Sequence, residues 1–200
     1  MKRLYLLLAF IFVLVTKILS QGYKVGDIVS DFNLMNVDGN MVSLSDYPDA
    51  KGYIVVFTCN YYPYSQAYED RLISLNETYL AKGYPVIAIN PNDPELQPED
   101  SFEEMKNHAK QEGFTFPYLF DEGSVAVQFG ADKTPYAFVL EKTSIGNKIR
   151  YIGAIDDNHA DVTAVKNNYV IDAVDTLLLE GDVQVPYTNA IGSDIVIKKK

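Results

Sequence analysis

Hydrophobic and polar positions follow two rhythms along this chain, and the changes of rhythm mark its elements. Phe32-Asn33-Leu34-Met35-Asn36 and Met41-Val42-Ser43-Leu44 flank Val37-Asp38-Gly39-Asn40. Asp-Gly between two such segments predicts a β-hairpin, with Gly39 supplying the positive φ of its turn. Tyr53–Phe57 is an unbroken apolar run, β-branched and aromatic, which predicts a strand buried on both faces of a parallel or mixed sheet. From Tyr64 the rhythm becomes helical. Tyr64, Tyr68, Leu72, Leu75 and Tyr79 recur every three or four residues, and Lys82-Gly83 ends the predicted helix. Tyr84–Ile89 is a second buried strand, stopped by Asn90-Pro91-Asn92-Asp93-Pro94.

Ser101–Glu112 is the next predicted helix, with Phe102, Met105 and Ala109 inward and Gly113 at its end. Phe114–Phe120 is a short extended piece, and Val125–Phe129 a short helix closed by Gly130. Tyr136–Leu140 and Lys148–Gly153 form a second hairpin through Ser144–Asn147. Val165–Leu179 is the last predicted helix, its inner face Tyr169, Ala173, Val174 and Leu177. A parallel β-α-β crossover followed by a closing antiparallel hairpin predicts an α/β three-layer sandwich with a central mixed β-sheet. Residues 21–200 are expected to form a single domain, with an extended tail from about residue 182, free or laid back over it.

The first 20 residues follow another logic. Lys2 and Arg3 precede an apolar stretch from Leu4 to Val15, and Ser20 offers a small residue for cleavage. This pattern reads as a signal peptide and is short for a membrane span, which needs roughly 18 or more apolar residues. Export to a periplasm or outside the cell is expected, with no stable membrane insertion after cleavage. The full sequence carries a net charge of −10, and losing Lys2, Arg3 and Lys17 makes the remainder more acidic still. Such a chain is a poor partner for nucleic acid or anionic lipid. Oligomeric state is not legible.

There is one cysteine, Cys59. Export permits disulfides, but a single cysteine forms none within its chain, so any partner sulfur belongs to another molecule. Cys59 closes the Tyr53–Phe57 strand and opens a segment leading into a helix. A thiol at such a junction is expected to be a nucleophile of lowered pKa. The competing reading is a buried small hydrophobe, the commonest fate of a free cysteine. Thr134-Pro135 stands directly before the Tyr136 strand, where proline is tolerated as a first residue and its bond can be cis.

The segments "VGDIVSDFNLMNVDGNMVSLSDY", "YIVVFTCNYYPYSQAYEDRL", "YPVIAINPNDPE", "FPYLFDE", "KTPYAFVL" and "IRYIGAIDDN" resemble, in order and spacing, the thioredoxin-fold redoxins of the alkyl hydroperoxide reductase/thiol-specific antioxidant (AhpC/TSA) type. The resemblance covers nearly all of the chain after residue 20. It implies a thioredoxin-like fold, Pro135 as the cis-proline facing the thiol, and Thr134 pairing its backbone with an extended substrate. It also implies Cys59 as the attacking cysteine of a Cys-x-x-Cys motif. Here the second cysteine position is Tyr62, the position that carries His in relatives is Tyr61, and a C-terminal cysteine of some relatives corresponds to Ser193. Dithiol chemistry needs a resolving thiol, which this chain does not carry. The peroxiredoxin cysteine also corresponds to Tyr62.

The expected function is therefore thiol-based oxidoreductase or antioxidant activity at Cys59, with Thr134, Pro135 and Tyr62 binding substrate. The implied partners are an external thiol and a disulfide-bearing protein or a peroxide, with no cofactor and no metal. The alternative is a binding protein that holds a peptide or protein client in the Cys59/Tyr62/Pro135 groove, and a purely structural domain is a third reading. Asp156-Asp157-Asn158-His159 with Asp161 reads as a polar loop in preference to a cation site. His108 is expected to face solvent, and the glycosylation-like Asn76-Glu77-Thr78 lies within a helix and is read as chance.

Overall fold

The structure, a computed structural model, describes residues 22–198; the expected signal peptide lies outside the described residues. Strands are β1 (Ile28–Val29), β2 (Leu34–Asn36), β3 (Met41–Val42), β4 (Gly52–Phe57), β5 (Val86–Asn90), β6 (Tyr118–Phe120), β7 (Lys133–Thr134), β8 (Tyr136–Thr143), β9 (Gly146–Gly153) and β10 (Ser193–Asp194). Helices are α1 (Pro63–Gln66), α2 (Glu69–Tyr79), α3 (Phe102–Glu112), α4 (Ser124–Phe129) and α5 (Tyr169–Leu178). Eight strands form one mixed sheet in the order β1-β9-β8-β4-β5-β6-β2-β3, and β10 pairs with β7 separately.

The buried run 53–57 is the central strand. It lies parallel to β5 and antiparallel to β8. Its side chains alternate between two cores. Ile54 and Val56 pack with Leu72, Leu75, Met105 and Val174 from α2, α3 and α5. Tyr53, Val55 and Phe57 pack with Leu44, Val125 and Phe129 on the other face. Burying each such side chain stabilises the fold by about 1.5–3 kcal/mol, so helices on both faces follow from a strand with no polar side. The hairpin β2–β3 turns at Gly39, φ 88°, and joins the sheet through β6. The result is the expected thioredoxin-like three-layer arrangement.

Two elements depart from the sequence pattern. The helix expected from Tyr64 is two pieces, α1 and α2. Tyr68 N–H bonds the Ser65 carbonyl, one residue short of helical spacing. The break leaves Ser65 at Cys59 while the Tyr68 hydroxyl donates to Asp156, 2.9 Å away. The last helix begins at Tyr169, not Val165. The Asp157 carboxylate accepts the Lys166 N–H and the Asn167 amide and holds that stretch as a loop.

The tail lies back over the domain. Thr188 N–H bonds the Ile152 carbonyl, Ile195 N–H that of Asp132, and Asp93 N–H that of Val196. This segment crosses the edge of the sheet at which β4 and β5 end.

Candidate active site around Cys59

Strand register brings the site together. Phe57, at the end of β4, pairs with Tyr136, at the start of β8. The chain leaving β4 and the chain entering β8 therefore meet, so Cys59 abuts Thr134-Pro135. The Thr134–Pro135 peptide is cis. Cys59 Sγ lies 3.2 Å from Thr134 Oγ1 and 3.3 Å from Ser65 Oγ. Thr134 and Ser65 are fully buried, and Cys59 is 2% exposed.

The thiol's environment reverses the expected pKa shift. Burial pushes Cys59 above its ordinary value of 9.0, and the Asp100 carboxylate pushes in the same direction. Hydrogen bonds from Ser65, Thr134 and the Tyr62 N–H oppose these without overcoming them. The helix that was expected to favour thiolate is α1, four residues long and beginning at Pro63, so few aligned peptide dipoles and few free N–H groups face the sulfur. Burial and Asp100 thus favour the protonated form of an enclosed thiol.

Tyr62 stands apart from the other expected residues. Its N–H serves Cys59, but its hydroxyl is 3.3 Å from Gln97 Oε1 and its ring meets Tyr61 edge-on. A cavity of about 200 Å³ beside Pro135 is lined by Tyr68, Ile155, His159, Tyr169 and Ile191, without Tyr62. A larger one, about 610 Å³, lies over α2 between Arg71, Tyr79 and Ile171, away from the thiol.

Behind Cys59 is a network with no single sequence signature. Asp100 is fully buried. Its carboxylate accepts the Asn60 backbone N–H at 2.7 Å, the Asn90 amide at 3.0 Å and the Asn92 amide at 2.6 Å. Tyr118 donates its hydroxyl to Asn60 Oδ1 at 2.8 Å, and burial pushes its pKa well up, which keeps the donor proton in place. A buried carboxylate surrounded by donors costs least when each lone pair is used, and here several segments supply them. Asp100 fixes the loop that carries Cys59. The cue available in the sequence was the Asn90-Pro91-Asn92 punctuation, which reads only as a strand stop.

The weaker candidates are occupied internally. Asp156 accepts from Tyr68 and pairs with Arg71 at 2.6 Å, and Arg71 also donates to the carbonyls of Asn158 and His159. Asp157 and Asp161 accept from their own loop. Among the described residues no cluster of His, Cys, Asp and Glu has a metal-binding arrangement. His108 does not face solvent freely: its Nε2 is 2.6 Å from Glu69 Oε1, and that bond raises its pKa. Asn76 is buried and donates its amide to the Thr115 carbonyl, which makes it a packing residue.

Known proteins bear the same architecture. An uncharacterized conserved protein of Geobacillus kaustophilus aligns with TM-score 0.82 and 34% identity, covering 89% of this chain and 94% of its own. A hypothetical protein of Sinorhizobium meliloti 1021 aligns with TM-score 0.81 and 30% identity, covering 90% and 98%. A thiol:disulfide interchange protein of the thioredoxin family from Chlorobium tepidum TLS is similar in fold, with TM-score 0.53 and 20% identity over 70% of this chain and 93% of that one. No curated protein matches. The sequence pattern of the AhpC/TSA family matches residues 25–177, which include the thiol, the cis-proline and every strand of the central sheet, and the chain belongs to that family.

Proposed function

We propose that this chain is an exported thiol oxidoreductase of the redoxin type that works with one cysteine. The observation that supports this most is the placement of Cys59 Sγ against Thr134, directly before the cis Pro135, at the carboxyl end of the central strand. That edge of an α/β sheet is where sites form. In this reading residues 1–20 direct export to a periplasm or outside the cell.

Cys59 loses its proton and attacks one sulfur of a client disulfide. A new S–S bond forms to Cys59, the client bond breaks, and the second client sulfur leaves as thiolate and takes up a proton. An external thiol then attacks the client sulfur of the mixed disulfide and releases Cys59. A second external thiol completes the exchange, so one disulfide is reduced and two external thiols are oxidised. With a peroxide instead, Cys59 takes one oxygen to become a sulfenic acid and the peroxide leaves as water or alcohol. Two external thiols then return it to thiol, releasing water. Thr134 and Pro135 position the client backbone.

The test is incubation of the chain with glutathione disulfide, followed by reduced glutathione. One glutathione adduct per chain, on Cys59, removed by the external thiol, is expected. Turnover that persists in Cys59→Ser, or an unmodified Cys59 in unfolded-state-free samples after prolonged exposure, overturns the reading.

The second reading is a client-binding protein. The raised thiol pKa and Tyr62 at the resolving position favour it. Client binding that survives Cys59→Ser unchanged selects this reading over the first.

A further inference from the structure

The edge of β7 is occupied by the chain itself. Ser193 pairs with Thr134 and Asp194 with Lys133, antiparallel. Lys133 Nζ also meets Asp194 Oδ1 at 2.8 Å. Gly192 packs so tightly that a Cβ there would overlap the Thr134 carbonyl oxygen and crowd the Pro135 nitrogen. On its far side Val196 N–H donates to Asn92 Oδ1, 2.8 Å away, and Asn92 in turn donates to Asp100. The tail thus grips the Thr134–Pro135 loop at one point and the network behind Cys59 at another. Thr134, whose hydroxyl touches the thiol, is fully buried between the two.

We propose that residues 191–196 are a resident occupant of the peptide slot along Lys133–Thr134, and that clients are extended segments that displace it. This rests on the reading of Cys59 and Thr134 as the reactive thiol and its substrate-pairing neighbour. Main-chain pairing along a strand edge supplies affinity, and alternate side-chain positions supply selectivity. The resident segment states what the slot accepts. It takes glycine where the Thr134 carbonyl leaves no room, an acidic residue against Lys133, and an aliphatic residue after it, since Ile195 packs on the Phe57 core. Tethering gives the resident a high effective concentration, so a client must match this pattern or carry further contacts to compete. While the tail is seated, Thr134 has no free edge and Cys59 stays enclosed.

Gly192→Val in the full chain tests this. Gly192 is not in the left-handed region, so valine strains nothing but the seat. Two quantities are measured: amide exchange at Ser193–Val196, and the rate at which iodoacetamide alkylates Cys59 under native conditions. Faster exchange in the tail, unchanged exchange in β4 and β5, and alkylation at least about tenfold faster are expected; a tenfold change corresponds to about 1.4 kcal/mol of opening. A capped peptide Ile-Gly-Ser-Asp-Ile-Val, added at millimolar concentration, is expected to slow alkylation of the variant again, and the same peptide with valine for glycine is not. The inference is overturned by an unchanged alkylation rate, by a faster rate without tail release, or by equal protection from both peptides. Alkylation reads access and ionisation but not disulfide exchange, so an opened thiol that exchanges no disulfide defeats the proposed chemistry while leaving this inference standing.

Discussion

Cys59 Sγ and Thr134 Oγ1 lie 3.2 Å apart although 75 residues separate them in the chain. The contact opposes the rise in thiol pKa, since a hydroxyl donor favours the charged sulfur. Thr134→Val keeps the shape of the side chain and deletes the donor. Losing that hydrogen bond removes an interaction that favours the thiolate, so the pH profile of alkylation is expected to move up. Alkylation against pH, followed by mass spectrometry, checks the shift. An unmoved profile removes Thr134 from the thiol's electrostatics.

In the unchanged protein that profile is expected to have its midpoint above the ordinary thiol value of 9.0, because burial and then Asp100 disfavour the thiolate. Alkylation is expected to climb still above about pH 9, where an unperturbed thiol is already half ionised or more. The same linkage holds for stability. A group whose folded pKa is raised contributes stability that is complete below its unfolded pKa and lost as pH rises through the folded value. For Cys59 the loss therefore begins at about pH 8.5–9 and continues above it.

Asp100→Asn separates two roles of one side chain. It removes the charge that raises the thiol pKa, so the alkylation midpoint is expected to fall. It also turns one of the two acceptor oxygens into a donor, so either the Asn92 amide, or the Asn60 N–H and the Asn90 amide, lose their acceptor. Leaving buried donors unpaired costs about 1–3 kcal/mol, read as a lower denaturant midpoint at constant m. A variant that loses stability with an unchanged midpoint for the thiol assigns Asp100 to packing alone.

Much of this architecture is legible in the sequence because it depends on side-chain chemistry at regular spacing. The run 53–57 has no polar position, so both faces must be covered, and they are. The break between α1 and α2 is not legible, because Tyr64, Tyr68 and Leu72 satisfy helical spacing whether or not the backbone shifts at Tyr68. Asp100 looks like an ordinary loop acid, since Asn60, Asn90 and Asn92 become its partners only when separate segments converge. The tail is held chiefly by main-chain bonds, which leave little mark on side-chain pattern. The thiol's pKa direction depends on burial and on the length of α1, neither of which the Cys59 junction itself encodes.

His108 and Glu69 join α3 to α2, with 2.6 Å between Nε2 and Oε1. The Glu69 hydrogen bond raises the His108 pKa above its ordinary 6.5, against the opposing effect of burial. Stability from this pair is complete below about 6.5 and lost as pH rises through the folded value. His108→Gln is therefore expected to destabilise the protein more at about pH 5.5 than at about pH 8.5. Urea denaturation at the two values measures the difference, and equal losses leave the pair without electrostatic weight.

Tyr62 occupies the place from which a second thiol would resolve Cys59. Its backbone N–H counters the rise in the thiol's pKa, while its ring is turned to Tyr61 and its hydroxyl to Gln97. Tyr62→Cys therefore places a thiol beside Cys59 and deletes only peripheral contacts of the ring. The variant is expected to lose both free thiols on mild oxidation and regain them with dithiothreitol. A resolving thiol in the same chain attacks its mixed disulfide at an effective concentration that a dissolved thiol at ordinary concentration does not match. Adducts with glutathione should then be transient in Tyr62→Cys and persistent in the unchanged protein until external thiol is added. If both sulfurs stay free after oxidation, the loop held by Asp100 keeps them apart, and a second cysteine at this position does not by itself supply a resolving thiol.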